Sequence, residues 1–300
     1  MAASSLKAVL YALGANSGIF VAKGAAAAYT GSSAMLAEAI HSAADAGNQV
    51  LLLLGIREAD RPPDSEHPLG YGKVAYFWAF LVAVLLFTLG GLFSVYEGWH
   101  KLAHPEAMTS PWIAIGVLAV AIVLELFSLW GCIVEIRKVS GGRTLWQFFR
   151  SSRNSELIVV LGEDIAALAG LVIALGAVAL ALVTANPMFD ALGSIAVGLL
   201  LIIVAVLLSI EIKGLITGQS AEPHVEAEIR RFLDSQAEID RVYSVITMQF
   251  GAQIMVAVKA RMMESQDAQR LIASVNDLEA EIRKRYPAVR WMFFEPDLED

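Results

Sequence analysis

Apolar positions along this 300-residue chain run in long unbroken stretches up to about residue 213. "FWAFLVAVLLFTLGGLFSVY" and "DALGSIAVGLLLIIVAVLLSI" are two of them. About 20 mostly apolar residues are needed to cross the hydrocarbon of a bilayer. The pattern predicts six spans, at 6–28, 34–56, 74–99, 112–136, 156–183 and 189–212. After Gly214 the pattern changes to short amphipathic segments. "HVEAEIRRFLDSQ" and "QDAQRLIASVNDLEAEIRKRY" read as helices, and "RVYSVITMQFG", "QIMVAVKARMM" and "VRWMFFE" as strands. The expected fold class is an α-helical membrane protein with six transmembrane helices at 1–213. A small cytoplasmic α+β domain follows at 214–300, in the ferredoxin-like or metallochaperone-like order α-β-β-α-β.

Composition agrees: 57% of residues are hydrophobic and 17% charged, more apolar than a soluble domain. The formal charge of -8 falls mostly in loops and at the C-terminus, and no basic tract points to nucleic acid. The single Cys132 excludes a disulfide framework or a cysteine zinc site within one chain. The first apolar run follows one lysine, as a signal peptide would, but it continues past Ala28 and reads as a span. The 57–73 loop carries Arg57, Arg61 and Lys73, and the 137–155 loop carries Arg137, Lys138, Arg143, Arg150 and Arg153. The other connectors carry at most Lys101. Both basic loops and both termini are therefore expected in the cytoplasm. Without a targeting segment, a bacterial inner membrane is the expected location.

"MLAEAIHSAADAGNQVLLLLG" in the second span breaks the apolar pattern. Helix positions three and four apart share a face, so Glu38, His41, Asp45 and Asn48 form one polar stripe. In the fifth span Glu163 and Asp164 stand side by side, about 100° apart around the helix. An ionised group at that depth costs several kcal/mol unless it has a partner. A divalent cation between His41, Asp45 and Asp164 would be one. A purely structural polar network is the other reading, but Lys23 is the one basic residue deep enough to neutralise any of these acids.

The motifs "TGSSAMLAEAIHSAADAGNQ", "HPLGYGKVAYFWAF" and "LGEDIAALAGLVIA", with six spans and the α-β-β-α-β tail, resemble the cation diffusion facilitator family of divalent metal/proton antiporters. The resemblance implies a tetrahedral transport site with paired ligands on the second and fifth spans. His41, Asp45 and Asp164 match three positions, and the fourth falls on Val160, which cannot be a ligand. Glu163 and Asn48 are equal candidates to replace it, and a water or a ligand brought by the substrate is a further option. The resemblance also implies a homodimer through the C-terminal domain and the membrane helices. Some members bind a second metal in the loop before the third span. Asp64 and His67 match that pattern but Tyr71 takes the third place, so a full site is not expected. The family's charge interlock from Lys73 would meet Thr217 instead of an aspartate.

His and Asp bind a cation only when deprotonated, so one site can exchange metal for protons. Mixed nitrogen and oxygen donors suit Zn²⁺ first, with Fe²⁺, Co²⁺, Mn²⁺ or Ni²⁺ possible, and suit Mg²⁺ or Ca²⁺ poorly. The expected activity is efflux of such an ion from the cytosol, with the metal as substrate and no prosthetic group. An intramembrane metalloenzyme and a metal sensor that transports nothing are the alternatives. Glu125 is an expensive residue inside the fourth span; pairing with Lys23 and a place on a proton path are both open. Glu97, His100 and His104 read as groups near the outer surface.

Overall fold

The computed structural model describes residues 2–30, 33–104, 111–264 and 267–299, leaving out the side chains of 2, 3, 30, 33–38, 40, 41 and 111. Helices α1 (Ala2–Thr30), α2 (Ser33–Ala59), α3 (Val74–Leu85) with α4 (Phe93–Ala103), α5 (Pro111–Val139), α7 (Ser155–Thr184) and α8 (Met188–Thr217) stand where spans are expected. Among the described residues, five stretches are long and apolar enough to cross a membrane: Ser4–Tyr29, Val74–Ala103, Trp112–Val139, Ser155–Thr184 and Met188–Thr217. Helix α2 has the length, 27 residues, and carries the polar stripe. Between them lies one element that the sequence reads as loop, the short helix α6 (Leu145–Ser151). Seven residues make too few turns to show helical periodicity, and α6 is recognisable only from its buried Phe148 and Phe149.

The chain packs as two units. The first comprises Met1–Arg57, Ala75–Thr144 and Asn154–Lys213. Within it α1 packs on α5, α5 on α7, and α1 on α7. Small residues let these helices approach closely, as lipid-embedded helices require. A Cβ on Gly131 of α5 would lie 2.6 Å from Tyr11 Cδ2 of α1. On α4, a Cβ on Gly98 would lie 2.6 Å from Ile195 Cγ1 and 2.8 Å from the Ala191 oxygen of α8. The third span is not one α-helix: Leu86–Leu92 is a π-helical stretch between α3 and α4, with Gly90 and Gly91 buried. The start of α7 is fixed by Asn154, whose Oδ1 accepts from Leu157 N at 3.1 Å as a helix cap. Asn154 Nδ2 also donates to Ser5 Oγ at 2.8 Å, which ties the cap to α1.

The second unit comprises Glu58–Val74, Leu145–Arg153 and Gly214–Asp300. Its last part runs α9 (Pro223–Asp234), β1 (Ile239–Phe250), β2 (Gln253–Met262), α10 (Ala268–Arg285) and β3 (Val289–Pro296). This is the α-β-β-α-β order read from the sequence. The sheet order is β1-β2-β3, with β1 and β2 antiparallel and β2 and β3 parallel. A parallel pair needs a crossover, and α10 supplies it. Ile229, Phe232 and Leu233 of α9 and Leu278 and Ile282 of α10 build the core with Val256, Val258 and Met292 of the sheet. Ile246, Ala257 and Phe293 are register neighbours in a row across the three strands. Ile246 and Phe293 are 58% and 57% exposed, an apolar strip left open among the described residues. The 58–74 segment meets the β1–β2 turn backbone to backbone: a Cβ on Gly72 would lie 2.5 Å from the Phe250 oxygen.

Candidate metal centre in the membrane core

Helix periodicity places Asp45, Asn48 and Gln49 within about one turn of each other on α2. Asn48 and Gln49 are buried, and Asp45 is partly so. Both amides turn to α7. Asn48 Nδ2 donates to Glu163 Oε1 at 3.2 Å, and Gln49 Nε2 donates to Glu163 Oε2 at 2.7 Å. Asp164 takes another direction. It is 1% exposed, and both its carboxylate oxygens accept from Ser128 Oγ of α5, at 3.2 and 3.1 Å. The two neighbouring acids of α7 thus face two different helices.

Of the residues singled out in the sequence, Asn48 and Glu163 come into contact. Asp45 lies within electrostatic range of Glu163 and Glu125, and Asp164 within range of Glu125. His41 stands on α2, but its side chain, like that of Glu38, lies outside the described residues. Among the described residues no three His, Cys, Asp or Glu side chains converge closely enough to hold a metal ion as they stand. Each α7 carboxylate accepts hydrogen bonds from neutral donors on its own side. Val160 is fully buried and apolar, so its position offers no donor.

Sequence reasoning did not pick out Gln49 or Ser128. Gln49 is four residues after Asp45, so the stripe could have been extended to it. Ser128 gives no signal of its own, since a lone serine is common inside an apolar helix. Glu125 is three residues before Ser128 on α5 and is 2% exposed.

The profile of the family described as "Cation efflux transmembrane domain" matches residues 9–212, more than half of the chain. The chain belongs to the cation efflux, or cation diffusion facilitator, family. It is similar to the proton-coupled zinc antiporter SLC30A9, mitochondrial, of Xenopus laevis, with 36% identity over 247 residues, 82% of this chain and 44% of the relative. It is also similar to metal tolerance protein C4 of Arabidopsis thaliana, with 31% identity over 241 residues, 80% of this chain and 53% of the relative. A shorter likeness, 33% over 94 residues, links it to magnetosome protein MamM of Magnetospirillum gryphiswaldense, covering 29% of this chain and 30% of that one. The chain spans less than half the length of the SLC30A9 relatives it matches. The family is one of integral membrane metal cation transporters and not of enzymes, which leaves the metalloenzyme alternative without support.

In this cation efflux protein the second metal pattern, in the loop between α2 and α3, is occupied by its own chemistry. Asp64 Oδ2 accepts from the Tyr71 hydroxyl at 2.6 Å, and Asp64 Oδ1 accepts from the backbone N–H groups of His67 and Glu66 at 2.7 and 3.0 Å. The Arg61 guanidinium lies over the Tyr71 ring at 4.1 Å, and the His67 ring lies 4.2 Å from it. The Tyr71 hydroxyl, followed by the His67 N–H, holds the Asp64 carboxyl below its usual value. The same bond raises Tyr71, because its proton serves the carboxylate. Lys73 has its Nζ 4.9 Å from the centre of the Phe250 ring, and Thr217 donates to the Gly214 oxygen. A cation–π contact thus stands where the family's charge interlock was expected. Glu97 is accounted for by Lys101, whose Nζ lies 3.2 Å from it and 3.2 Å from Asp190.

Proposed function

We propose that this protein exports divalent transition-metal cations, Zn²⁺ first among them, from the cytosol in exchange for protons. The observation that carries the reading is the placement of Asp45 on α2 and of Glu163 and Asp164 on α7, each within electrostatic range of Glu125, with His41 one turn from Asp45 along α2, inside helices of a cation efflux domain. Carboxylates at lipid depth need a positive partner. The name of the SLC30A9 relatives, proton-coupled zinc antiporter, supports zinc and protons as the exchanged ions.

His41, Asp45 and Asp164 are the proposed ligands. Between the two candidates for a fourth donor, Glu163 is favoured over Asn48. Glu163 offers anionic oxygens, whereas Asn48 acts toward it as a hydrogen-bond donor. The amides of Asn48 and Gln49 hold the Glu163 carboxylate when no cation does, and Ser128 does the same for Asp164. A proton and a metal ion compete for the same oxygens and the same imidazole, since a ligand must be deprotonated to bind metal. When the helices rock, the site faces each side of the membrane in turn, and exclusive occupancy couples the fluxes. The basic loops and both termini are cytoplasmic in this reading.

Purified protein in proteoliposomes, loaded with a pH dye and offered a panel of divalent ions, tests the proposal. Metal entry is expected to drive protons the other way, and Asp45→Ala and Asp164→Ala are expected to abolish both movements while the protein still elutes as a single folded species. Full transport by both variants would remove the site. The exposed strip of Ile246 and Phe293 is the proposed homodimer contact of the C-terminal domain. Phe293→Asp is expected to shift native mass spectra from dimer toward monomer, and an unchanged dimer counts against that contact.

A further inference from the structure

Glu125 is unlike the other acids of the membrane unit. It belongs to α5, a helix that the paired-ligand pattern of the second and fifth spans does not use. It is 2% exposed, and its Oε2 is buried with no hydrogen-bond partner. A buried carboxylate oxygen without a donor is costly, and such an atom calls for a specific explanation. Its surroundings point to one. Asp164 and Asp45 act on Glu125 electrostatically, with Lys23 the opposing charge. Ser128, on the same face of α5 three residues along, holds Asp164 by both oxygens. The wall of α5 that Asp164 faces therefore carries a second carboxylate. Among the described residues Lys23 is the positive charge acting on Glu125, and it forms no hydrogen bond to Oε2.

We propose that Glu125 contacts the transported dication from α5 through Oε2 and, by weighting the donor set toward oxygen, sets which metals are accepted. The inference rests on the transport reading above. A site of one imidazole and several carboxylates admits harder ions such as Mn²⁺ beside Zn²⁺, because carboxylate donors suit Mn²⁺ and imidazole suits Zn²⁺. Without Glu125 the remaining donors favour Zn²⁺ more strongly. Glu125 is thus a selectivity residue for the substrate ion.

The test compares Zn²⁺ and Mn²⁺ in reconstituted wild-type protein, Glu125→Gln and Glu125→Asp. Flux gives KM for each ion, and the electron paramagnetic resonance of free Mn²⁺ gives binding without transport. Glu125→Gln keeps the shape and removes the charge. It is expected to weaken Mn²⁺ binding about tenfold, the scale of losing one interaction near a metal, with a smaller change for Zn²⁺. Glu125→Asp, which keeps the charge and guards against a misfolded glutamine variant, is expected to retain Mn²⁺ binding. An equal loss for both ions, or no change in the Zn²⁺/Mn²⁺ ratio in either variant, overturns the role of Glu125. Failure of the transport reading looks different: wild-type protein then moves neither ion, or Asp45→Ala moves both as well as wild type does.

Discussion

Asp64 and Asp164 both stand in sequence settings that suggest a metal ligand, yet the structure puts them in opposite circumstances. Asp64 is in an exposed loop and is surrounded by donors from its own segment: the Tyr71 hydroxyl and two backbone N–H groups. Arg61 over the Tyr71 ring adds positive charge nearby. Asp164 is buried among apolar helices and accepts from the Ser128 hydroxyl, beside further acids. The loop balances its charge with hydrogen bonds and arginine. The membrane core sets Asp164 within electrostatic range of Glu125 and Glu163, with the neutral Ser128 hydroxyl donating to it. Metal-like spacing alone therefore does not identify a site; what decides is whether the chain itself completes each carboxylate's partners.

This contrast predicts unequal responses to substitution. Ser128→Ala removes the donor that orients Asp164. Zinc binding is expected to weaken by about tenfold, as for other groups that orient a ligand without touching the metal. Asp64→Ala is expected to leave zinc affinity and stoichiometry unchanged in the same titration. If Asp64→Ala lowers the number of zinc ions bound per chain, the loop holds metal after all and the contrast collapses.

The helices at the expected span positions and the α-β-β-α-β element order of the C-terminal part were legible, because each rests on periodicity within one segment. The direction of the α7 acids was not. Their sequence adjacency gives an angle between them but not the rotation of the helix. That rotation is set by packing on α8. Gly162 and Gly170 face Leu208 and Val197, where an added Cβ would come within 2.9 and 3.3 Å. With Gly162 against α8, Glu163 lies about 100° around the helix and Asp164 about 200°. One acid therefore reaches the side, to α2, and the other the far face, to α5. No single-segment pattern contains the contact between Gly162 and Leu208. The loop escaped for a related reason. Asp64 and His67 matched two positions of a metal pattern with no full site expected, and only the fold shows Tyr71 donating to Asp64 and Arg61 lying over Tyr71.

A gentler variant probes the loop side of the contrast through its pH dependence. Tyr71→Phe deletes the bond that contributes most to holding Asp64 below its usual value of 3.8. A carboxyl whose folded value is depressed stabilises the fold above its unfolded value, and that contribution disappears as pH falls through the folded value. Wild-type protein in nanodiscs is thus expected to melt slightly higher than Tyr71→Phe at neutral pH. The gap should close as the buffer is taken down below the ordinary aspartate range. The effect is small because the group is exposed and solvent screens it. Metal transport should be the same in both proteins at neutral pH. A melting gap that stays constant through the acid range would mean that Tyr71 acts by packing against Arg61 and His67, and not through the Asp64 carboxylate.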